Sequence, residues 1–179
     1  MTLNRFKRPQ SGTTLVETMM AATLIGVFFA TIFELNAVCL RYIDASKESM
    51  AALQGVQDRV EALRNLAFAP DPTGSDLANA TYLKSLMVTP GNGSDFAKTK
   101  PIEVVTIKAY NTATKSVSGT GIQISRPAGA VVTPSIVSNS LVLPNPAVVL
   151  VNVKYTWTML GGRSASEQTE TIIASGNKK

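Results

Sequence analysis

Residues 11–33 read Ser11-Gly-Thr-Thr-Leu-Val-Glu-Thr-Met-Met-Ala-Ala-Thr-Leu-Ile-Gly-Val-Phe-Phe-Ala-Thr-Ile-Phe33. The last 16 of these residues, from Thr18 to Phe33, carry no charge. As a helix at 1.5 Å per residue, this run spans roughly 24 Å, just short of the ~30 Å hydrocarbon core of a bilayer. The 12 residues at the start of the chain carry three basic side chains and no acid. A basic flank before an apolar run indicates a membrane-targeted segment whose N-terminus lies in the cytoplasm.

Composition excludes most catalytic chemistry. The 179 residues are enough for one domain with a core, or for one domain plus an appendage, and 45% of them are hydrophobic. The sequence contains no histidine and one cysteine. Histidine bases, histidine metal ligands and an internal disulfide are therefore excluded. No phosphate-binding, zinc-protease or nucleophile-elbow motif is present. We therefore expect no enzyme, no catalytic residue, no metal site and no cofactor.

Three interpretations compete for the apolar segment. The first is a cleaved secretory signal peptide, for which Leu35-Asn-Ala37 is a tolerable cleavage site. The second is an uncleaved signal anchor. The third accounts for Glu17, a carboxylate among apolar residues that the other two leave unexplained.

An unpaired charge such as Glu17 is costly in lipid, by at least ~2.5 kcal/mol on insertion scales. A cut after Gly12 would make Thr13 a new N-terminus, whose ammonium would lie one helical turn from Glu17. A neighbouring copy staggered by one turn could offer its own Thr13 ammonium instead. Pairing of this kind would turn a buried charge into a drive towards assembly.

The segment from Ser11 to Gly26 resembles the class III leader junction of type IV pilins and type II secretion pseudopilins. The matching residues are Gly12, Thr14, Leu15, Val16 and Glu17. One departure is Thr13, where the family usually has phenylalanine. Another is the absence of the proline that many major pilins carry in the apolar helix.

The resemblance implies that prepilin peptidase cleaves between Gly12 and Thr13 and methylates the Thr13 amine. It implies a role for Glu17 in subunit assembly. The implied partners are prepilin peptidase, other pilin or pseudopilin subunits, inner-membrane lipid and the inner-membrane assembly platform. The implied location is the bacterial inner membrane, single pass with the head in the periplasm, and then a periplasmic or cell-surface filament. The residues expected to form the membrane helix are Leu15, Val16, Leu24, Ile25, Phe28 and Phe29.

Apolar and small residues continue at helical spacing beyond the membrane segment. They are Leu35, Val38, Tyr42, Ala45, Ser49, Leu53, Val56, Val60, Leu63 and Ala67. We predict one helix from about Thr13 to Phe68, ended by Pro70 and Pro72. A coiled-coil stalk is the alternative, but Ala45 and Ser49 are poor seam residues, so packing on a sheet is favoured.

The chain after Pro70 is β-rich and punctuated by turns. We predict strands at Ile102–Tyr110, Gly121–Ser125 and Ala147–Leu160, with two weaker pieces within Ala130–Leu143. Gly161-Gly162 turns the chain into a partner strand at Ser164–Ala174, and Tyr82–Val88 is a short helix or a strand. The predicted fold is α+β, a long N-terminal helix packed on a mostly antiparallel sheet, as in type IV pilins.

The predicted organisation has four parts. Residues 1–12 are a basic leader that is removed, and 13–34 are a transmembrane or filament-core helix. Residues 35–69 are the amphipathic half of the same helix, and 70–179 are the head. Asp71, Asp76 and Asp95 lie near turns but lack the spacing of a calcium loop, so solvated turn residues are favoured.

Basic residues outnumber acids in the second half of the chain, which raises DNA binding as a possibility. A solvated face is favoured over it. The basic residues are Lys98, Lys100, Lys108, Lys115, Arg126, Lys154, Arg163, Lys178 and Lys179. The predicted function is a structural subunit, a minor pilin or pseudopilin, of a type IV pilus or type II secretion-like filament. The alternatives are a monomeric membrane-anchored periplasmic binding module and a DNA-capturing competence pilin.

Overall fold

The computed structural model describes residues 14–68, 75–91, 101–129, 131–143, 147–159 and 162–176. The long N-terminal helix and the antiparallel sheet are both present, so the predicted α+β class is confirmed. By internal contacts, the chain divides into two compact units, Met1–Ile43 and Asp44–Lys179. The elements in chain order are α1 (Leu15–Arg64), α2 (Ala80–Leu86), β1 (Ile102–Asn111), β2 (Ser116–Arg126), β3 (Ser135–Asn139), β4 (Val148–Thr158) and β5 (Ser164–Ala174).

Helix α1 runs without a break for 50 residues but ends at Arg64, one turn earlier than predicted. The chain leaves the helix because Phe68 turns into the core, where it is 7% exposed. The Ala67 carbonyl then accepts a hydrogen bond from the Leu77 amide (3.2 Å) instead of continuing the helical ladder. Burial of an aromatic side chain therefore ends the helix before the prolines can.

The five strands form one antiparallel sheet in the order β3-β2-β1-β4-β5. Strands β4 and β5 pair without a register shift from Val148↔Ala174 to Thr158↔Ser164. Gly162, in the connecting turn, has φ 82°, a conformation that glycine adopts freely. The two pieces predicted within Ala130–Leu143 are a single strand, β3, whose pairing with β2 shifts between Gln123 and Ile124.

The core lies between the sheet and the part of α1 after Asp44. On β4, the alternate residues Val149, Val151, Val153, Tyr155 and Trp157 are all buried. On α1, the buried apolar positions are Ala52, Val56, Val60 and Leu63. The predicted helix face was wrong at Leu53, which is 43% exposed, because the sheet meets the helix on the Ala52 side.

The segment Tyr82–Val88, ambiguous in sequence, is helical as far as Leu86 and forms most of helix α2 (Ala80–Leu86). Asn79 caps it, because its side-chain oxygen accepts hydrogen bonds from the Thr81 and Tyr82 amides at 3.0 and 3.1 Å. Leu83 of this short helix is fully buried in the core.

Gly55 brings α1 close to the sheet. A Cβ atom at this position would lie 2.8 Å from Cε2 of Tyr155. Gly91 lies against the helix at the same place, since a Cβ there would lie 2.5 Å from the Gly55 carbonyl oxygen and 3.0 Å from the Tyr155 hydroxyl oxygen. Glycine in a helix interior costs roughly 1 kcal/mol against alanine. That cost is offset by the burial of the tyrosine ring, which is 2% exposed.

We expect Gly55→Ala to lower the free energy of unfolding by about 1–3 kcal/mol, the usual cost of overpacking a core. Gly26→Ala is the matched control, because nothing lies within 4 Å of its added Cβ. The control should leave the stability of the head unchanged. Urea denaturation of the full chain in detergent, followed by the fluorescence of Trp157, the single tryptophan, measures both. Equal effects of the two substitutions would contradict the packing argument.

Candidate functional site

The first part of α1, up to Ile43, presents apolar side chains to its surroundings. The helix Leu15–Arg64 is long and apolar enough to cross a membrane by length and composition, a criterion that core helices and signal sequences also meet. All six residues expected in the membrane helix are more than half exposed: Leu15, Val16, Leu24, Ile25, Phe28 and Phe29. An apolar surface of this extent on a soluble monomer would be unfavourable, so it requires lipid or protein around it.

Threonine hydroxyls in this segment bond back to the helix itself. Thr18, Thr23 and Thr31 donate to the carbonyl oxygens of Leu15, Met20 and Phe28 at 2.7–2.8 Å. A polar group that finds its partner inside its own helix adds little cost in lipid. These threonines are therefore compatible with an apolar environment, and sequence analysis did not recognise this property.

Glu17 lies in the first turn of α1. Its amide donates to the Thr14 carbonyl at 3.0 Å and lies 3.3 Å from the Thr14 hydroxyl oxygen. Thr14 and Glu17 thus have the spacing of a capping box, in which a threonine cap and a glutamate three residues later stabilise the helix start. The positive end of the helix dipole also favours a carboxylate here. Glu17 therefore has a local stabilising role that the sequence analysis missed.

The carboxylate of Glu17 has no cationic partner within the described residues. The only ion pair among them joins Arg59 and Glu103. Gly12 and Thr13, the predicted cleavage and methylation positions, lie outside the described residues. The pairing of Glu17 with a Thr13 ammonium thus stays a prediction.

A second polar cluster lies inside the head and holds the later part of α1 on the sheet. Arg59 Nε lies 2.6 Å from Glu103 Oε1, and the two side chains are 4% and 0% exposed. The guanidinium also donates to the carbonyl oxygens of Leu86 and Thr89, at 3.1 and 2.6 Å. One side chain of α1 therefore binds β1 and the C-terminal end of α2.

Sequence analysis assigned no role to Arg59 or to Glu103. The available signal was periodicity. Arg59 lies between Val56 and Val60 on the buried face of α1, and Glu103 precedes the inward-facing Val105 on β1. A basic residue on the buried face of a helix and an acidic residue on the buried face of a strand are candidates for a buried ion pair.

Tyr155 and Arg126 border this cluster. Burial together with the negative charge of Glu103 raises the pKa of Tyr155. Burial lowers the pKa of the Arg126 guanidinium, while Glu103 acts in the opposite direction. Arg126 also donates to the Gly129 carbonyl. The charge of Glu103 therefore acts on both side chains.

Burial removes Arg126 from the set of basic residues considered for DNA binding, an interpretation that the sequence disfavoured. Arg126 is 0% exposed, so it is not on the surface that was counted as basic. Lys115, Lys154 and Arg163 are exposed, and Lys108 is half-buried. The other four basic residues of the set, Lys98, Lys100, Lys178 and Lys179, lie outside the described residues.

The acidic residues of the head are dispersed. Glu167 accepts a hydrogen bond from the Ser49 hydroxyl at 2.9 Å, and Glu170 accepts one from the Asn152 amide at 2.8 Å. Within the described part of the chain, no group of three acidic or cysteine side chains could hold a metal ion. Asp71 and Asp95 lie outside that part, and Asp76 is half-buried.

Comparison with protein-family models, with curated proteins and with solved structures finds no match to this chain. A long N-terminal apolar helix and an antiparallel sheet are compatible with a pilin-like fold.

We expect Arg59→Met to destabilise the head by about 3–5 kcal/mol, because it leaves the Glu103 carboxylate buried without its charge partner. Replacing both partners, Arg59→Met with Glu103→Leu, should recover most of that loss. Arg64→Met is the control, since exposed Arg64 makes one contact with the Thr171 hydroxyl at 2.9 Å. Its cost should not exceed about 1 kcal/mol. Urea denaturation of the full chain gives these values, and a single Arg59 variant as stable as the control would contradict this assignment.

Proposed function

We propose that the chain is a structural subunit, a minor pilin or pseudopilin, of a type IV pilus or type II secretion-like filament. The observation that carries the proposal is the start of α1. There, the carboxylate of Glu17 stands directly before an uncharged, exposed helical run. The resemblance of residues 11–26 to the class III prepilin junction supports it. The helix-on-sheet architecture is compatible with it.

The proposed mechanism begins in the bacterial inner membrane, with the apolar part of α1 in lipid and the head in the periplasm. Prepilin peptidase cleaves between Gly12 and Thr13 and methylates Thr13. The assembly platform then moves the processed subunit out of the bilayer into the filament. There, its helix packs against those of other subunits, and the head supplies lateral contacts and the filament surface.

In this mechanism, the carboxylate of Glu17 favours the move of the subunit from lipid into the filament. In lipid, an unpaired carboxylate costs at least ~2.5 kcal/mol. The positive end of the helix dipole offsets part of that cost, but it supplies no full positive charge. A Thr13 ammonium from a neighbouring copy would supply one. The pairing would also fix the stagger of neighbouring helices at one turn.

We expect the mass and N-terminal residue of the protein to depend on prepilin peptidase. Co-expression should give a chain starting at Thr13, with or without one methyl group, and expression without the peptidase should give the uncleaved chain. Intact-mass spectrometry and N-terminal sequencing distinguish these products. A start at Met1 in both cases would indicate a signal anchor instead, and a start at Val38 a secreted domain.

We expect Glu17→Ala to be processed normally but to enter filaments poorly, because the charge that pairs with Thr13 is lost. Glu17→Gln isolates that charge, since the amide keeps the size and shape of the side chain and the contact of the backbone amide with Thr14 is unchanged. Glu34→Gln is the matched control, an exposed acid at the other end of the uncharged run. Immunoblotting of sheared filaments against membrane fractions measures incorporation.

The outcomes of this experiment separate two roles of Glu17. Loss of incorporation in both Glu17 variants, with Glu34→Gln unaffected, supports charge pairing. Loss in Glu17→Ala alone would assign the effect to the size and hydrogen-bonding capacity of the side chain rather than to its charge. Incorporation of both Glu17 variants at the level of the unmodified chain would refute the pairing mechanism.

A further inference from the structure

A small hollow lies on the face of the sheet opposite α1. Its volume is about 230 Å³, below the range of roughly 300–1,000 Å³ typical of sites for drug-sized ligands. It has room for a group of the size of an amino acid or a dipeptide. The residues that line it are Thr106, Lys108, Val117, Leu150, Asn152 and Glu170.

The strand register places hydrogen-bond donors on one side of this hollow and acceptors on the other. Thr106, Asn152 and Glu170 are paired across β1, β4 and β5 in one row, and Lys108 is paired with Leu150 in another. The β1 side therefore carries a hydroxyl and an ammonium, which donate hydrogen bonds. The β4 and β5 side carries an amide oxygen and a carboxylate, which accept them.

Two contacts hold the opposite charges apart. The Asn152 side-chain amide donates to Glu170 Oε1 at 2.8 Å and orients the carboxylate from the β4 side. The stem of Lys108 lies against Gly121 on the opposite side, where an added Cβ would come within 2.9 Å of Lys108 Cγ. No ion pair joins Lys108 to Glu170 in the part of the chain that the structure describes.

The two charges in the hollow sum to zero, so a ligand with charge of one sign would meet repulsion from one of them. Leu150 and Val117 offer apolar contacts for a carbon skeleton between the two polar sides. A site with separated, oriented charges is prepared for a ligand that carries both signs, because neither group has to break an existing ion pair on binding.

We propose that this hollow binds a small zwitterion, an α-amino acid or a dipeptide. The ligand ammonium binds Glu170 and the Asn152 side-chain oxygen, and the ligand carboxylate binds Lys108 and Thr106. This site belongs to the head, does not involve the N-terminal helix, and does not depend on assembly into a filament.

The probe for the test is glycylglycine, titrated calorimetrically into the full-length chain in detergent. We expect saturable binding below about 10 mM, the range of one or two charge-assisted contacts in a solvent-open site. Lys108→Met and Glu170→Gln should each weaken binding by about tenfold, because each removes one charge-assisted contact and retains the shape of the side chain. Lys154→Met is the matched control, an exposed lysine on β4 outside the hollow, and should bind as the unmodified chain does.

Two analogues test the zwitterion itself. N-Acetylglycine lacks the ammonium, glycinamide lacks the carboxylate, and each should bind about tenfold more weakly than glycylglycine. The fluorescence of Trp157 verifies that every variant retains its core. Absence of saturable binding to the unmodified chain, equal binding of N-acetylglycine, or unchanged binding by both hollow variants would overturn the proposal.

Discussion

A charge buried in a hydrophobic core must find its hydrogen-bond partners inside the protein. The head is organised around one such buried charge, that of Arg59. The Arg59 guanidinium makes four hydrogen bonds, two to Glu103 and one each to the carbonyl oxygens of Leu86 and Thr89. These partners belong to β1 and to the end of α2 and the chain that follows it. The helix therefore cannot slide or rotate on the sheet without leaving several polar groups unpaired, which is far more costly than a change in apolar contact.

The predictable part of the fold followed from periodicity. The alternation of β4, the return strand β5 and the long helical stripe are all strong repeating signals, and each was located within a few residues. The errors came from single residues whose environment is tertiary. Leu53 is exposed although it fits the apolar stripe, because small Ala52 and Gly55 let the sheet approach on their side. The burial of Arg59 and Arg126 was missed because charged residues are usually on the surface. Their burial becomes apparent only once the elements packed against them are in place.

For the candidate site, the sequence located Glu17 and the apolar run but not the local hydrogen bonds. The first turn of α1 combines a cap, a carboxylate and a dipole end, and the threonines that follow satisfy their own hydroxyls. These contacts depend on the helical backbone and are not visible as a sequence motif for function. Because of these hydrogen bonds, the apolar segment is better suited to a water-free environment than its composition indicates. The carboxylate of Glu17 is the main group in it whose charge still needs a partner.

The position of β4 also has a consequence for biosynthesis. Its buried side chains form the centre of the core, and it pairs with β1 on one side and β5 on the other. Yet the ribosome makes β4 only after α1, α2, β1, β2 and β3 have emerged. Until Tyr155 is translated, the ring that packs on Gly55 and Gly91 is missing, and the apolar side of the helix lacks its main cover. The head therefore closes late and nearly in one step, so the nascent chain must be kept from aggregating through that exposed face.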